Sequence, residues 1–309
     1  MMQAPSSIFM VRPEYFGFNP QTAPSNAFQN KMILHAASVV RKKATAQFDK
    51  FVEKLVDHGI GVHVFHSPKH KKLPDAVFPN NWVTFHEDGR VVLYPMLAEN
   101  RRLERRLDVI DKIGETFQIV EVIDLSVEEA HDRILEGSGS IVFDSINMVA
   151  YANASPRTNE YLFESICERL GYKGVFFKAT DANGIDIFHT NVMMMIGEGY
   201  SVICGESIAE ADRDRVFTSL TSSGLEIVQI TRAQVNSFAG NMIQLQNQGG
   251  KKYLVMSDSA FQSLTQEQRN TLLKYNDFIH SDVSSIEEVG GGSARCMIAG
   301  IHLQPKAIS

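Results

Sequence analysis

The sequence predicts a pseudosymmetric α/β fold of five related units, and three observations carry that expectation. Five stretches share one design, a small or polar residue delivered into a short apolar strand: "FPNNWVTF", "EGSGSIVF", "FHTNVMMMI", "FAGNMIQL" and "SARCMIAGI". The last polar residue before each apolar pair is Asn81, Ser140, Asn191, Asn241 or Cys296. Their separations of 59, 51, 50 and 55 residues each match about one supersecondary unit. Hairpin signals follow several of these steps, and helical patterns lie between them.

Taken in order, the first helical pattern is "ATAQFDKFVEKLVDHG", stopped by a glycine. The strand of "FPNNWVTF" then turns at Asp88-Gly89 in "HEDGRVVLYP". After the "EGSGSIVF" strand comes the helical pattern "NEYLFESICERLGY". The third strand turns at Glu198-Gly199, ahead of a helix in "EADRDRVFTSLTSSG" that again stops at glycine. The fourth turns at Gly249-Gly250, and the fifth begins at Cys296. Five equivalent strands that start around one axis would bring Asn81, Glu136, His189, Asn191 and Cys296 together, although they are far apart in sequence.

Bulk properties narrow the function classes. A length of 309 residues suffices for one large domain or two ordinary ones; the repeat favours one domain over residues 1–309. Hydrophobic content of 44% with 21% charged residues is the profile of a soluble globular protein. The formal charge of -6 gives no reason to expect a nucleic-acid partner. The basic clusters "RKK" at 41–43 and "KHKK" at 69–72 are short, lack interleaved aromatics and read as solvated surface. Three irregularly spaced cysteines suggest neither a disulfide framework nor a metal site. The start lacks the pattern of a secretory signal, and no apolar window is long enough for a membrane span. A cytoplasmic protein without membrane or cofactor is therefore expected. Its oligomeric state stays open, with a homodimer among the options.

Three residues stand out chemically. Cys167 and Cys204 lie in apolar patterns and read as packing residues. Cys296 follows "GGGS", which permits a tight turn with close backbone approach, and Arg295 beside it offers a cation that favours thiolate. It reads equally as nucleophile or core. His189 enters an apolar run at the position matching Cys296, where an imidazole can serve as acid and base; a satisfied core histidine is the alternative. Glu136 stands before "GSGS", either solvated at a helix end or kept to orient a group that carries N–H donors.

Taken together, "DAVFPNNW", "EGSGS", "SPRTN", "FHTNV" and "GGGSARCM" resemble the guanidino-group modifying superfamily with the pentein fold. Arginine deiminases, dimethylarginine dimethylaminohydrolases and amidinotransferases belong to it. The resemblance spans nearly the whole sequence and implies an α/β propeller of five pseudosymmetric ββαβ-type repeats around a central active site. It implies Cys296 as nucleophile, His189 as proton shuttle and Glu136 as holder of a substrate nitrogen. It assigns Arg157 to the substrate α-carboxylate, with Arg101 or Arg102 assisting, and gives Arg295 a similar role. Where arginine-acting members carry two aspartates, this protein has Asn81 and Asn191. A guanidinium presents only N–H donors and favours carboxylates, whereas the carbonyl oxygen of a ureido group needs donors. The exchange therefore points to a neutral ureido substrate, most simply citrulline, hydrolysed to ornithine, ammonia and carbon dioxide without a metal. Alternatives are an arginine or methylarginine deiminase, an amidinotransferase, or a non-catalytic binding protein on the same fold.

Overall fold

The computed structural model describes residues 2–29, 37–67 and 72–306, so His70 and most of the 69–72 basic cluster lie outside the described residues. The protein forms fifteen strands among the described residues. They are β1 (Ser7–Arg12), β2 (Gly61–His66), β3 (Val83–Phe85), β4 (Arg90–Leu93), β5 (Glu121–Asp124), β6 (Ile141–Asp144), β7 (Val149–Asn153) and β8 (Lys173–Phe177). They continue as β9 (Met194–Gly197), β10 (Tyr200–Ile203), β11 (Glu226–Gln229), β12 (Ile243–Gln246), β13 (Lys252–Ser257), β14 (Asp277–Ser281) and β15 (Ala299–Ile301).

One strand pattern recurs five times: an antiparallel pair followed by a parallel neighbour. It is made by β3-β4-β5, β6-β7-β8, β9-β10-β11, β12-β13-β14 and β15-β1-β2. The last unit joins the first through a bridge between Ile301 and Phe85, which merges two units into a six-stranded sheet. The hairpin pairs β3-β4, β9-β10 and β12-β13 turn at the predicted dipeptides, with the second residue, a glycine, at positive φ in each.

The parallel third strand of a unit requires a crossover, and helices supply it. In Ala37–Asp57 the buried positions Val40, Ala44, Phe48, Phe51 and Leu55 fall at helical spacing on one face. Each large apolar side group so buried contributes roughly 1.5–3 kcal/mol. Glu160–Leu170 starts where the Asn159 side chain accepts from the Leu162 N–H and stops at Gly171 in the left-handed region. Cys167 packs from this helix into the core, and Cys204 packs beyond β10.

One departure from the sequence reading matters for the site. The polar residues do not enter their strands directly. A single tight turn intervenes: Pro79–Asn81 before β3, Gly137–Ser140 before β6, Thr190–Val192 before β9. Cys296 likewise sits in a turn ahead of β15. These turns are only three or four residues long and run straight into the apolar residues of the strand, too short for a helical period to show in the sequence.

Candidate active site

The turn bearing Cys296 is held from both sides. Its N–H donates to the Ser293 carbonyl at 3.0 Å, and the Ser293 hydroxyl donates to Glu287 at 2.6 Å. The preceding glycines serve packing rather than exposure. A Cβ on Gly290 or Gly292 would lie 2.8 or 2.9 Å from the Phe78 ring, so their absence lets the first unit dock against the fifth.

The Cys296 thiol is buried, with 4% of the residue exposed. Its polar neighbours are amides. Asn241 Nδ2 lies 3.2 Å from Sγ and Asn191 Nδ2 4.0 Å. Asn241 Nδ2 also donates to the Asn191 carbonyl at 3.0 Å, which fixes the direction of its amide. Burial pushes the thiol above its ordinary pKa, opposed by the hydrogen bond to Ser293, by Asn241 and by the charges of Arg295 and Arg101.

His189 and Glu136 form a buried pair, with Nε2 2.8 Å from Oε2. Glu136 also accepts from the Leu97 N–H at 3.1 Å and from Arg157 Nη1 at 3.4 Å. Burial opposes charge on Glu136, yet Arg157, His189 and Arg101 outweigh it and hold the carboxyl well below the usual range. Burial pushes His189 down to about 4, because Arg157 and Arg101 offset part of the pull of the Glu136 carboxylate. The imidazole is neutral at neutral pH and oriented by a carboxylate.

Asn81 is fixed by Arg101, whose Nη1 donates to Oδ1 at 2.8 Å. That bond assigns the amide orientation and leaves Asn81 Nδ2 as a buried donor with no partner among the described residues. Gly139 allows this approach: a Cβ there would lie 2.4 Å from Asn81 Nδ2 and 2.9 Å from the His189 ring. Arg101 itself is committed, with two donors on Glu104 and another on the Phe78 carbonyl at 3.1 Å.

The structure thus brings Glu136, His189, Arg157, Arg101 and Asn81 into one buried network and places Asn191 and Asn241 against Cys296. Arg157 Nη2 donates to Ser25 Oγ at 2.8 Å and the Thr22 carbonyl at 3.2 Å, with its guanidinium 5.0 Å over the Phe188 ring. Arg102 stands apart: 29% of its side chain is exposed, and Nε donates to the Met96 carbonyl and faces Glu129 at 3.4 Å. Arg295 also turns away, donating to the Ile298 carbonyl at 2.9 Å and lining a cavity behind the site.

Two residues of this region are absent from the sequence-based site. Asn241 marks the fourth repeat step, and its equivalence to Asn191 and Cys296 was the available signal. Asp75, in "DAVFPNNW", is buried with Oδ2 held by Asn19 at 2.7 Å and Thr22 at 3.1 Å, and with Oδ1 unpartnered. Burial raises its pKa against the pull of Arg101 and Asn19. A buried carboxylate oxygen without a partner needs an explanation, and a ligand cation supplies one. Among the described residues no group of three or more His, Cys, Asp or Glu side chains could hold a metal ion, and no helix is long and apolar enough to cross a membrane.

A family model described as N,N dimethylarginine dimethylhydrolase, eukaryotic, matches residues 12–303. No curated protein sequence matches this one. Among solved structures, the protein is similar to ArgZ, an arginine dihydrolase from the ornithine-ammonia cycle in cyanobacteria. The TM-score is 0.76 at 16% identity, over 97% of this chain and 41% of ArgZ. The ArgZ N-terminal domain, as a cysteine-to-serine variant bound to substrate, gives a TM-score of 0.73 at 16% identity. That match covers 94% of this chain and 96% of the domain. A dimethylarginine dimethylaminohydrolase variant, in an adduct with S-methyl-L-thiocitrulline, gives 0.62 at 15% identity over 97% of this chain and 99% of that one. At these identities the likeness shows the mixed α/β fold alone. The chain spans less than half of the full ArgZ length.

Proposed function

We propose, since the chain belongs to the N,N-dimethylarginine dimethylhydrolase family and is a hydrolase of the pentein superfamily, that it hydrolyses the ureido group of a small amino acid. Citrulline is the simplest such substrate. The observation that carries this reading is the donor face of Asn81. Its oxygen is taken by Arg101 and its Nδ2 is left unpartnered, so it offers a donor where an aspartate would offer an acceptor. Asn241 and Asn191 add amide donors beside the sulphur. A carbonyl oxygen developing negative charge suits these groups; a guanidinium cation does not.

In this mechanism Cys296 Sγ bonds to the ureido carbon while its proton passes to neutral His189, and the amides receive the oxyanion. His189 then protonates the substrate's δ-nitrogen as its bond to the ureido carbon breaks, releasing ornithine and leaving a carbamoyl thioester. Water, deprotonated by His189, attacks the thioester carbon; the S–C bond breaks, the thiol regains its proton, and carbamate leaves to decompose into ammonia and carbon dioxide. Glu136 acts through His189 as its positioning residue. Arg157 grips the α-carboxylate in exchange for its contacts with Ser25 and Thr22, and the open oxygen of Asp75 receives the α-ammonium group. Arg101 positions Asn81, and Arg102 has no part.

The recurrent three-stranded unit supports a five-bladed propeller formed by the whole protein as one catalytic domain. Contacts join consecutive units near their starts: Ser138 to Asn80, Thr190 to Ser140, Asn241 to Asn191, Cys296 to Asn241. The Ile301–Phe85 bridge joins the fifth unit to the first. Three free cysteines suit a reducing cytoplasm.

A second reading, hydrolysis of arginine or a methylarginine, is favoured by the family's name and by the arginine substrate of ArgZ. Purified protein incubated in parallel with citrulline, arginine, dimethylarginine and agmatine separates the two, with Cys296→Ser as control. Ornithine from citrulline alone, lost in the control, is the expected result. Citrulline formed from arginine, with no turnover of citrulline itself, would establish the second reading instead.

A further inference from the structure

Behind the site lies a cavity whose walls come from the first strands of the units, including Phe85, Phe143, Met195, Ile243 and Gly300. Ser138, Asn191 and Arg295 line it together with His86, Tyr172 and His302. Two of these residues connect it to the reacting sulphur. Asn191 Nδ2 lies 4.0 Å from Cys296 Sγ, and Arg295 directly precedes Cys296 in the sequence.

Arg295 is the unexplained group here. Among the described residues its polar contact is the Ile298 carbonyl at 2.9 Å, and no carboxylate lies within ion-pair distance. The other charges of the cavity wall are engaged. Arg90 Nε donates to Asp88 at 2.7 Å, and Glu87 accepts from the Met2 N–H at 2.9 Å and from Gln304 at 3.2 Å. Arg295 is half-buried on the cavity wall, and partial loss of water lowers its pKa to about 10 with no acid in return. A guanidinium left without an acid pairs best with a planar oxyanion that takes two parallel N–H bonds.

We infer that the cavity behind Cys296 is a binding site for a small planar carboxylate anion held by Arg295, and that its occupant is the carbamate released from the thioester. This rests on the ureido reading. It commits to rupture first of the bond between the ureido carbon and the δ-nitrogen, since only that order frees carbamate as a separate molecule. The amino-acid product and the anion then leave the sulphur on opposite sides. Water attack on the carbamoyl thioester places one new oxygen on the carbon, the S–C bond breaks, and the anion carries the pair of oxygens that the guanidinium fork recognises.

The test is calorimetric titration of the Cys296→Ala protein, which cannot turn over, with formate and with bicarbonate. Titrations are made with and without ornithine, which occupies the amino-acid side. Formate binding that persists beside ornithine is expected, with no binding of neutral formamide. Arg295→Gln should weaken formate at least tenfold and Arg295→Lys less. Ile243→Trp, which fills the cavity and leaves Arg295 in place, should also weaken it at least tenfold and stands in for Arg295→Gln should that variant not fold. Absence of formate binding, binding displaced by ornithine, or binding unchanged in both Arg295→Gln and Ile243→Trp would overturn the inference. Since no turnover is read, a protein that binds formate at Arg295 but deiminates arginine refutes the substrate reading and leaves the anion site standing.

Discussion

At the scale of single residues, three asparagines set the polar character of the site, Asn81 with an unpartnered donor and Asn191 and Asn241 with amides beside the Cys296 sulphur. Asn81→Asp converts the free donor into an acceptor beside Arg101. The ratio of kcat/KM for arginine over citrulline should rise at least tenfold, which corresponds to about 1.4 kcal/mol in transition-state preference. An unchanged ratio would show that Asn81 does not select the substrate. Asn241→Leu keeps the volume and removes the donor nearest to sulphur. A hydrogen bond to a charged group is worth roughly 1.5–3 kcal/mol, so iodoacetamide alkylation of Cys296 at neutral pH should slow about tenfold or more. His189 and Cys296 set the pH dependence. The resting site holds a neutral imidazole and a thiol, and one proton must be present to reach the leaving nitrogen. Adding a proton to His189 stops the reaction, so the acid limb of kcat/KM should lie near about 4. Removing the thiol proton also stops it, so the basic limb should lie above the ordinary thiol value of 9.0. A profile with an acid limb near the ordinary histidine value of 6.5 would contradict the burial of a neutral His189.

At the scale of elements, the one-turn segments ahead of the strands place the chemistry. Gly137–Ser140 is the clearest case, since Gly139 faces Asn81 and the His189 ring together. Gly139→Ala would push a methyl group into the 2.4 Å gap to Asn81 Nδ2 and the 2.9 Å gap to the imidazole. Side chains rather than backbone receive that push, so the fold should survive while catalysis suffers. Turnover should fall about a hundredfold, as for misplacement by about an ångström, with far-ultraviolet circular dichroism unchanged. Retained turnover would mean that the two side chains can shift freely and that their spacing is not catalytic.

At the scale of the whole molecule, the units depend on close contact at their starts. Gly240 is packed against the third unit's backbone, where a Cβ would lie 2.3 Å from the Val192 carbonyl oxygen and 2.7 Å from the Met193 backbone. Backbone cannot rotate away as a side group can. Gly240→Ala should therefore destabilise the protein by about 1–3 kcal/mol, read as a lower midpoint in urea denaturation. Since Asn241 follows it directly, the same variant should lose activity ahead of stability. An unchanged midpoint would show that the third and fourth units are not tightly joined there.

The sequence by itself determined the strands, the hairpins and the helices, though not the tight turns ahead of the strands, because each rests on local periodicity and on turn residues whose preferences act within a few positions. Repetition at near-equal spacing also singled out Asn81, Asn191 and Cys296, and the family resemblance added roles for His189, Glu136 and Arg157. Only the tertiary structure decided how these groups face one another. It turned the Asn81 donor inward through Arg101, paired Glu136 with His189, set Asn241 against the thiol and left an oxygen of Asp75 open. It also separated the arginines that looked equivalent in sequence: Arg157 and Arg101 join the buried network, Arg102 pairs with Glu129 near the surface, and Arg295 lines the rear cavity. The physical reason is that a hydrogen bond has a direction and burial has a depth. Both depend on partners far away in the sequence, and no local pattern encodes them.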